Sequence, residues 1–178
     1  MKILVCGGAG FIGSTFIRNF LKNNIDSKIT NLDALTIGSN LLNLKDLEKN
    51  QNYNFVKDDI RNGTQIDSLI KDTDLVVNFA AESHVDRSIA NPKPFIETNV
   101  LGTYTILEGI RKHDKQFIHV STDELYGDAG DQDSFNEKSI LKPSNPYSAT
   151  KAAADHLVGS YVRTYGIRCI ITRCTNNF

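Results

Sequence analysis

The sequence has no apolar run long enough to cross a bilayer, no block of lysine or arginine, and only three cysteines in 178 residues. Each shortage removes a class of function. A formal net charge of -1 without a basic cluster leaves no electrostatic footprint for nucleic acid or an anionic membrane surface. One lysine and a short apolar run precede the first glycines, too little for a secretory signal. Cys6, Cys169 and Cys174 are odd in number, lack C-x-x-C spacing and fall in or beside apolar strand patterns. They read as buried free thiols of a reducing compartment, which makes the cytoplasm the expected location and gives no metal site. Internal repeats, linkers and low-complexity segments are also missing. The length suits one well-buried domain, 1–178, and small-molecule work fits the charge best.

What is present begins at Ile3-Leu4-Val5-Cys6, an apolar strand that enters Gly7-Gly8-Ala9-Gly10-Phe11-Ile12-Gly13 and leaves into a helical pattern. Gly7 permits a sharp reversal, Gly10 keeps side-chain atoms off a pyrophosphate, and Gly13 lets the helix pack closely. The helix N-terminus, with its unpaired N–H groups and positive dipole end, is then an anion site. A second strand, Lys28 to Leu32, ends in Asp33, twenty positions past Gly13, where an acid would accept hydrogen bonds from an adenosine ribose. No arginine stands beside it to receive a 2'-phosphate. The expected cofactor is NAD rather than NADP.

The same alternation continues. Loop Ala34 to Asn40 is placed to touch the adenosine half, and a short helix around Leu41 to Glu48 should pack through its leucines. Tyr53 to Val56 reads as a third strand ending at Asp58-Asp59-Ile60, where an adenine would rest. Asn62 to Lys71 reads as the returning helix, and Asp74 to Phe79 as a fourth strand covered on both faces. Strands and helices at this pitch predict a doubly wound parallel sheet, the Rossmann form of the α/β class, with ligands beyond the carboxyl ends of the strands. The loop after the fourth strand, Ala80 to Ser88, starts with small residues that allow close approach of a cofactor. Its Glu82, Asp86 and Arg87 suit ion pairing, and His84 suits a structural role. Pro92 to Lys112 is a long amphipathic stretch with Phe95, Ile96, Val100, Leu101, Tyr104, Leu107 and Ile110 at helical spacing and Gly102 and Gly109 as soft spots. Gln116 to Ser121 makes a fifth strand leading into Thr122-Asp123-Glu124, and Asp128 to Asn145 reads as a surface loop.

Tyr147 and Lys151 stand four apart at the start of a helix running through Ala152, Ala153, Ala154, Leu157 and Val158, so both lie on one face. A nearby ammonium lowers a tyrosine pKa and makes it a base that takes a hydroxyl proton as hydride leaves the same carbon. Alcohol oxidation has no use for two further carboxyls, whereas elimination of water does. Beside a newly formed ketone, one carboxylate can remove the acidified proton of the adjacent carbon while a protonated partner assists a hydroxyl departing from the next carbon. Neighbours in a strand point to opposite faces, so both reach one sugar only where the backbone turns at this strand end.

The glycine loop, the Ser121-Thr122 strand end and Tyr147-Ser148-Ala149-Thr150-Lys151 resemble the extended short-chain dehydrogenase/reductase superfamily. Ala80 to Ser88, Thr122-Asp123-Glu124 and Arg173-Cys174-Thr175-Asn176-Asn177 narrow the resemblance to the dTDP-glucose 4,6-dehydratases. It implies Tyr147 as base at O4, Glu124 as base at C5, Asp123 as acid at O6, Thr122 bonding the substrate and Lys151 supporting Tyr147. It implies cofactor contacts from Gly7, Gly10, Phe11, Ile12, Gly13, Asp33, Leu35 and Thr36. Asp59, Ile60, Phe79, Ala80, Ala81, Ser83, Thr98, Tyr147, Lys151 and Asn177 complete that set, and Ser83, Thr122 and Asn176 would touch a nucleotide sugar. It also implies a homodimer through the helices around 92–112 and 147–165, and a smaller C-terminal nucleotide-sugar domain that this sequence is expected to lack, leaving a weakly active NAD-binding unit. A related epimerase or decarboxylase, which Asp123 disfavours, and a non-catalytic NAD-binding module are the alternatives.

Overall fold

Alternation along the first strand divides its apolar residues between two cores. In β1 (Lys2–Cys6), Leu4 and Cys6 face one side of the sheet and Ile3 and Val5 the other, as a period of two requires. The computed structural model describes residues 1–130 and 134–178. Within them β1 is joined by β2 (Lys28–Asp33), β3 (Tyr53–Lys57), β4 (Leu75–Asn78), β5 (Gln116–Thr122) and β6 (Arg168–Cys174). All pair in parallel, in the order β3-β2-β1-β4-β5-β6. The chain returns to the middle of the sheet between β3 and β4. A crevice therefore opens beyond the carboxyl ends of β1 and β4.

On one face α1 (Phe11–Asn23) and a 3-10 helix (Leu41–Leu47) cover Ile3, Val5, Ile29 and Val77. On the other, α2 (Gly63–Lys71), α5 (Thr103–His113) and α6 (Pro146–Tyr165) bury Leu4, Leu32, Val76 and Phe117 under Ile66, Ile70, Ile106, Ile110 and Val158. Each such fully buried side chain contributes about 1.5–3 kcal/mol over its exposed state. Val76 and Val77 fall in different clusters, so β4 is covered on both faces as its unbroken apolar run predicts.

Side-chain caps fix where the helices start. Asn62 accepts from Gln65 N ahead of α2, and Asn145 forms a reciprocal capping box with Ser148 around Pro146, the first residue of α6. Gly166, at φ 70, closes α6 in the left-handed conformation and turns the chain into β6.

Several expectations change here. The loop Ala80 to Ser88 already contains the start of a short helix, α3 (Val85–Ala90). The stretch 92–112 is a bent helix: α4 (Lys93–Phe95) passes through a π-helical turn (Ile96–Gly102) into α5. Ile96 and Leu101 on that wider turn, and Tyr104 just after it, are exposed. Gly102 and Gly109 are places of close approach rather than soft spots, since a Cβ on either would strike Ile60 or Ile70. Leu44 and Leu47 pack, but Leu41 and Leu42 are exposed on the 3-10 helix. Only Cys6 is a buried thiol, because Cys169 and Cys174 sit on an edge strand, half-exposed. Residues 131–133 of the loop Asp128 to Asn145 lie outside the described residues. Among the described residues no helix is long and apolar enough to cross a membrane.

Candidate active site

The crevice holds a cleft of about 470 Å³, and the strand-end loops converge on it. Its first wall is the glycine turn. Gly7 has φ +78 and lies so close to the Phe79-Ala80 backbone that no side chain fits there. Gly13 packs against the turn itself, where a Cβ would overlap the Gly7 carbonyl and Gly8 Cα. The turn is also pinned from β2, with Gly8 N donating to Asn31 Oδ1 at 3.0 Å and Ala9 N to Asp33 Oδ2 at 2.9 Å. From the other side Asn43 Nδ2 and Asn40 N donate to Ala9 O, each at 3.0 Å. Asn31 and Asn43 carry no motif, and sequence reading passed over both. Gly10 caps α1 without a side-chain acceptor, so the first helical turn, Phe11 to Gly13, borders the cleft with its N–H end open.

Asp33 lines the cleft and is buried, its second oxygen accepting from Leu35 N at 2.8 Å. Leu35 itself is not among the lining residues. Its left-handed backbone, φ 55, turns the amide to Asp33 and leaves Ala34, Thr36 and Ile37 to form that edge. Asp59 and Ile60 line the same end, while Phe79, Ala80, Ala81, Ser83 and Thr98 line the middle. Burial, aided by Asp33, pushes the Cys6 thiol up to about 12, so it stays protonated beneath the turn.

At the far end Tyr147, Lys151 and Thr122 converge with Glu124 on the cleft. Lys151 is buried and donates to Val120 O at 2.7 Å. Burial lowers its pKa to about 8, against the opposing pull of Asp155. The expected lowering of the Tyr147 pKa is not seen in the chain by itself. Burial pushes its phenol up to about 12, the Glu124 charge adds to the rise, and a hydrogen bond with Thr122 only partly offsets it.

The requirement that the strand end turn is met. Thr122 caps a 3-10 helix (Asp123–Tyr126), its Oγ1 accepting from Glu124 N at 3.3 Å. Glu124 then projects onto the cleft, exposed, whereas Asp123 is half-buried and outside the lining, 3.4 Å from Thr122 Oγ1. Asn176 and Asn177 close the cleft beside Cys174 and Thr175.

Two residues assigned no role from the sequence, Asn99 and Ser88, hold these pieces in register. Buried Asn99, on the π-helical turn, accepts from Glu82 N at 2.9 Å and donates to Glu82 O and Thr150 Oγ1, each at 3.0 Å. It thereby ties the loop after β4 to α6. Ser88 of α3 accepts from Tyr147 N at 3.1 Å and anchors the start of that helix. Within the loop Arg87 lies 3.1 Å from Glu82 as an ion pair without hydrogen-bond alignment. His84 is exposed at the head of α3, outside the cleft lining. Among the described residues no cluster of side chains suits a metal ion.

An arrangement of this kind can seat a dinucleotide along the strand ends and place a tyrosine, a lysine and a carboxylate at its reactive end. The residues present fit such a group, because the turn excludes side chains where a pyrophosphate would approach.

Comparison with known proteins follows the same lines. The family model for GDP-mannose 4,6-dehydratase matches residues 4–178. The dTDP-glucose 4,6-dehydratase of Mycobacterium tuberculosis is 47% identical over the whole chain, which covers 54% of that protein. The low-salt glycan biosynthesis protein Agl12 of Haloferax volcanii is 51% identical, again over the whole chain and 57% of the relative. The crystal structure of DesIV, a dTDP-glucose 4,6-dehydratase from Streptomyces venezuelae with NAD bound, superposes with a TM-score of 0.96 at 44% identity. The chain is covered completely there, and it accounts for 56% of DesIV. The chain thus spans about half the length of the curated relatives it matches.

Proposed function

This chain belongs to the GDP-mannose 4,6-dehydratase family, and from that premise we propose that it is the NAD-binding and catalytic part of a dTDP-glucose 4,6-dehydratase. The observation that carries the reading is the convergence on one cleft of the glycine turn, Asp33, Tyr147, Lys151, Thr122 and Glu124. Bound NAD would accept hydride from C4 of the sugar and later return it to C6. The glycine turn and the first turn of α1 would hold the pyrophosphate, and Asp33 the adenosine ribose. Tyr147 would take the O4 proton, with Lys151 and Thr122 holding the sugar and the phenol in line. Glu124 would remove the C5 proton and Asp123 would protonate the departing O6 hydroxyl to water; return of the proton from Glu124 to C5, with hydride at C6, gives dTDP-4-keto-6-deoxyglucose. Asp123 stands beside that place, its carboxylate 3.4 Å from Thr122 Oγ1 at the cleft wall.

Leu35, Thr36, Asp59, Ile60, Phe79 to Ala81, Thr98 and Asn177 are proposed cofactor contacts, and Ser83, Thr122 and Asn176 proposed substrate contacts. A homodimer through the helices 92–112 and 147–165 is proposed on the exposed Ile96, Leu101, Tyr104, Val162 and Tyr165. The free thiols support a reducing, cytoplasmic setting.

The test joins NAD calorimetry to a turnover assay with dTDP-glucose that follows the alkali-sensitive 4-keto sugar. The reading expects NAD binding with little or no turnover, and any product signal to be abolished by Glu124→Gln. Failure to bind NAD overturns it.

A further inference from the structure

Behind the Tyr147–Lys151 pair lies a polar cluster that the proposed chemistry does not use. Arg173, near the end of β6, donates from Nε to Asp155 Oδ2 at 2.9 Å and from Nη1 to the Tyr126 hydroxyl at 2.7 Å. Asp155 stands one turn beyond Lys151 on α6, with 2% of its side chain exposed. Tyr126 ends the 3-10 helix that carries Asp123 and Glu124, and its ring stacks on Phe135 at 5.1 Å between centroids. One guanidinium therefore spans two elements, the helix with the tyrosine and lysine and the turn with the acid pair.

Those elements also touch through Leu125 and Ala152. Apolar contact is non-directional, so it limits how far apart they lie without fixing how the turn is rotated. A planar guanidinium sends its donors in fixed directions, and two short bonds to two partners set both position and rotation. A lysine would keep the charge and lose the second direction. Arg173 does not line the cleft, so its effect on the reacting groups passes through Tyr126 and Asp155.

We propose that Arg173 is a positioning residue, which by gripping Asp155 and Tyr126 together sets the orientation of the Asp123-Glu124 turn against Tyr147 and Lys151. This deepens the reading of the site given above, and the chemical meaning of that orientation rests on it.

Amide hydrogen exchange on the cofactor-free chain tests the grip directly, compared between the unaltered chain, Arg173→Lys and Tyr126→Phe. In Arg173→Lys, exchange across 123–127 should rise by about tenfold while the β1 and β4 amides stay within about twofold. Tyr126→Phe keeps the stacked ring and loses only the hydroxyl, so the same amides should rise by less. NAD affinity should be unchanged in both variants, because neither residue borders the cofactor cleft. Unchanged exchange at 123–127 in Arg173→Lys overturns the proposal. So does a rise matched in β1 and β4, which would make Arg173 an ordinary stabilising residue. If the unaltered chain fails to bind NAD, the functional reading falls, and the exchange comparison still decides the grip.

Discussion

Replacing Lys151 by methionine should stabilise the cofactor-free chain at neutral pH while removing a group proposed for function. The lysine is buried and its pKa falls from 10.5 to about 8, burial being the main cause and Asp155 and Cys174 opposing it. That displacement corresponds to about 3 kcal/mol of penalty for keeping an ammonium in this place. Methionine has similar volume and no charge, so it relieves the penalty. It also leaves Val120 O without the donor now 2.7 Å away, which costs about 1 kcal/mol. The net gain is about 2 kcal/mol, a rise in Tm of about 4–8 °C for a chain of this size.

The sign with pH follows from linkage. Below about 8 the lysine is protonated whether the chain is folded or unfolded, and the penalty is present in full. Between about 8 and 10.5 the folded chain has released the proton while the unfolded chain keeps it. The unaltered chain therefore gains stability relative to the methionine variant as pH rises through that window. Near its upper end the order should reverse, because only the unpaired carbonyl then separates the two. Urea unfolding of both proteins at steps from pH 7 to 10.5 reads the difference. A methionine variant less stable at pH 7, or a gap that does not change with pH, would refute the reasoning.

Gly13→Ala should weaken NAD binding by more than about tenfold and lower stability by about 1–3 kcal/mol, since its Cβ would overlap the Gly7 carbonyl and Gly8 Cα. Calorimetry and thermal unfolding check the two effects separately. Asn99→Ala should lower the urea midpoint by an amount equivalent to about 3 kcal/mol, because it strands both backbone groups of buried Glu82. A loss under about 1 kcal/mol would mean that the loop after β4 has another support.

The parts of the fold legible in the sequence are those where backbone geometry or burial leaves little choice. Gly7 needs a positive φ and Gly13 a bare Cα, and the pattern announced both. The buried cores of β1 (Ile3 to Cys6) and β4 (Leu75 to Val77) are apolar because both of their faces are covered, and the doubly wound sheet follows from such strands alternating with helices. The strand ends then locate the cleft. What stayed hidden depends on contacts between distant segments. Asn31, Asn43, Ser88 and Asn99 are ordinary polar residues in sequence, and only the folded chain shows each closing a hydrogen bond that orients the site. The π-helical turn escaped notice because its apolar spacing differs from an α-helix by one residue over a single turn. The turn at Asp123-Glu124 was posed by chemistry, since two neighbours on a strand cannot face one substrate, but its form was not.

The pair at the reactive end shows most clearly why spacing alone misleads. Four residues apart, Tyr147 and Lys151 share a helix face, and in water the ammonium would favour the phenolate. Buried together they move in opposite directions, because losing a proton creates a charge on tyrosine and removes one from lysine. In the chain by itself the phenol holds its proton to about 12 and the lysine releases its own near 8. At neutral pH the tyrosine of the empty site is therefore held in its protonated form. Glu124 deepens the problem, since its charge raises the phenol further, yet the proposed reaction needs both groups in one cleft. Within the proposed function, Tyr147, Lys151 and Thr122 would border the oxidised cofactor, which would supply a positive charge that favours the phenolate.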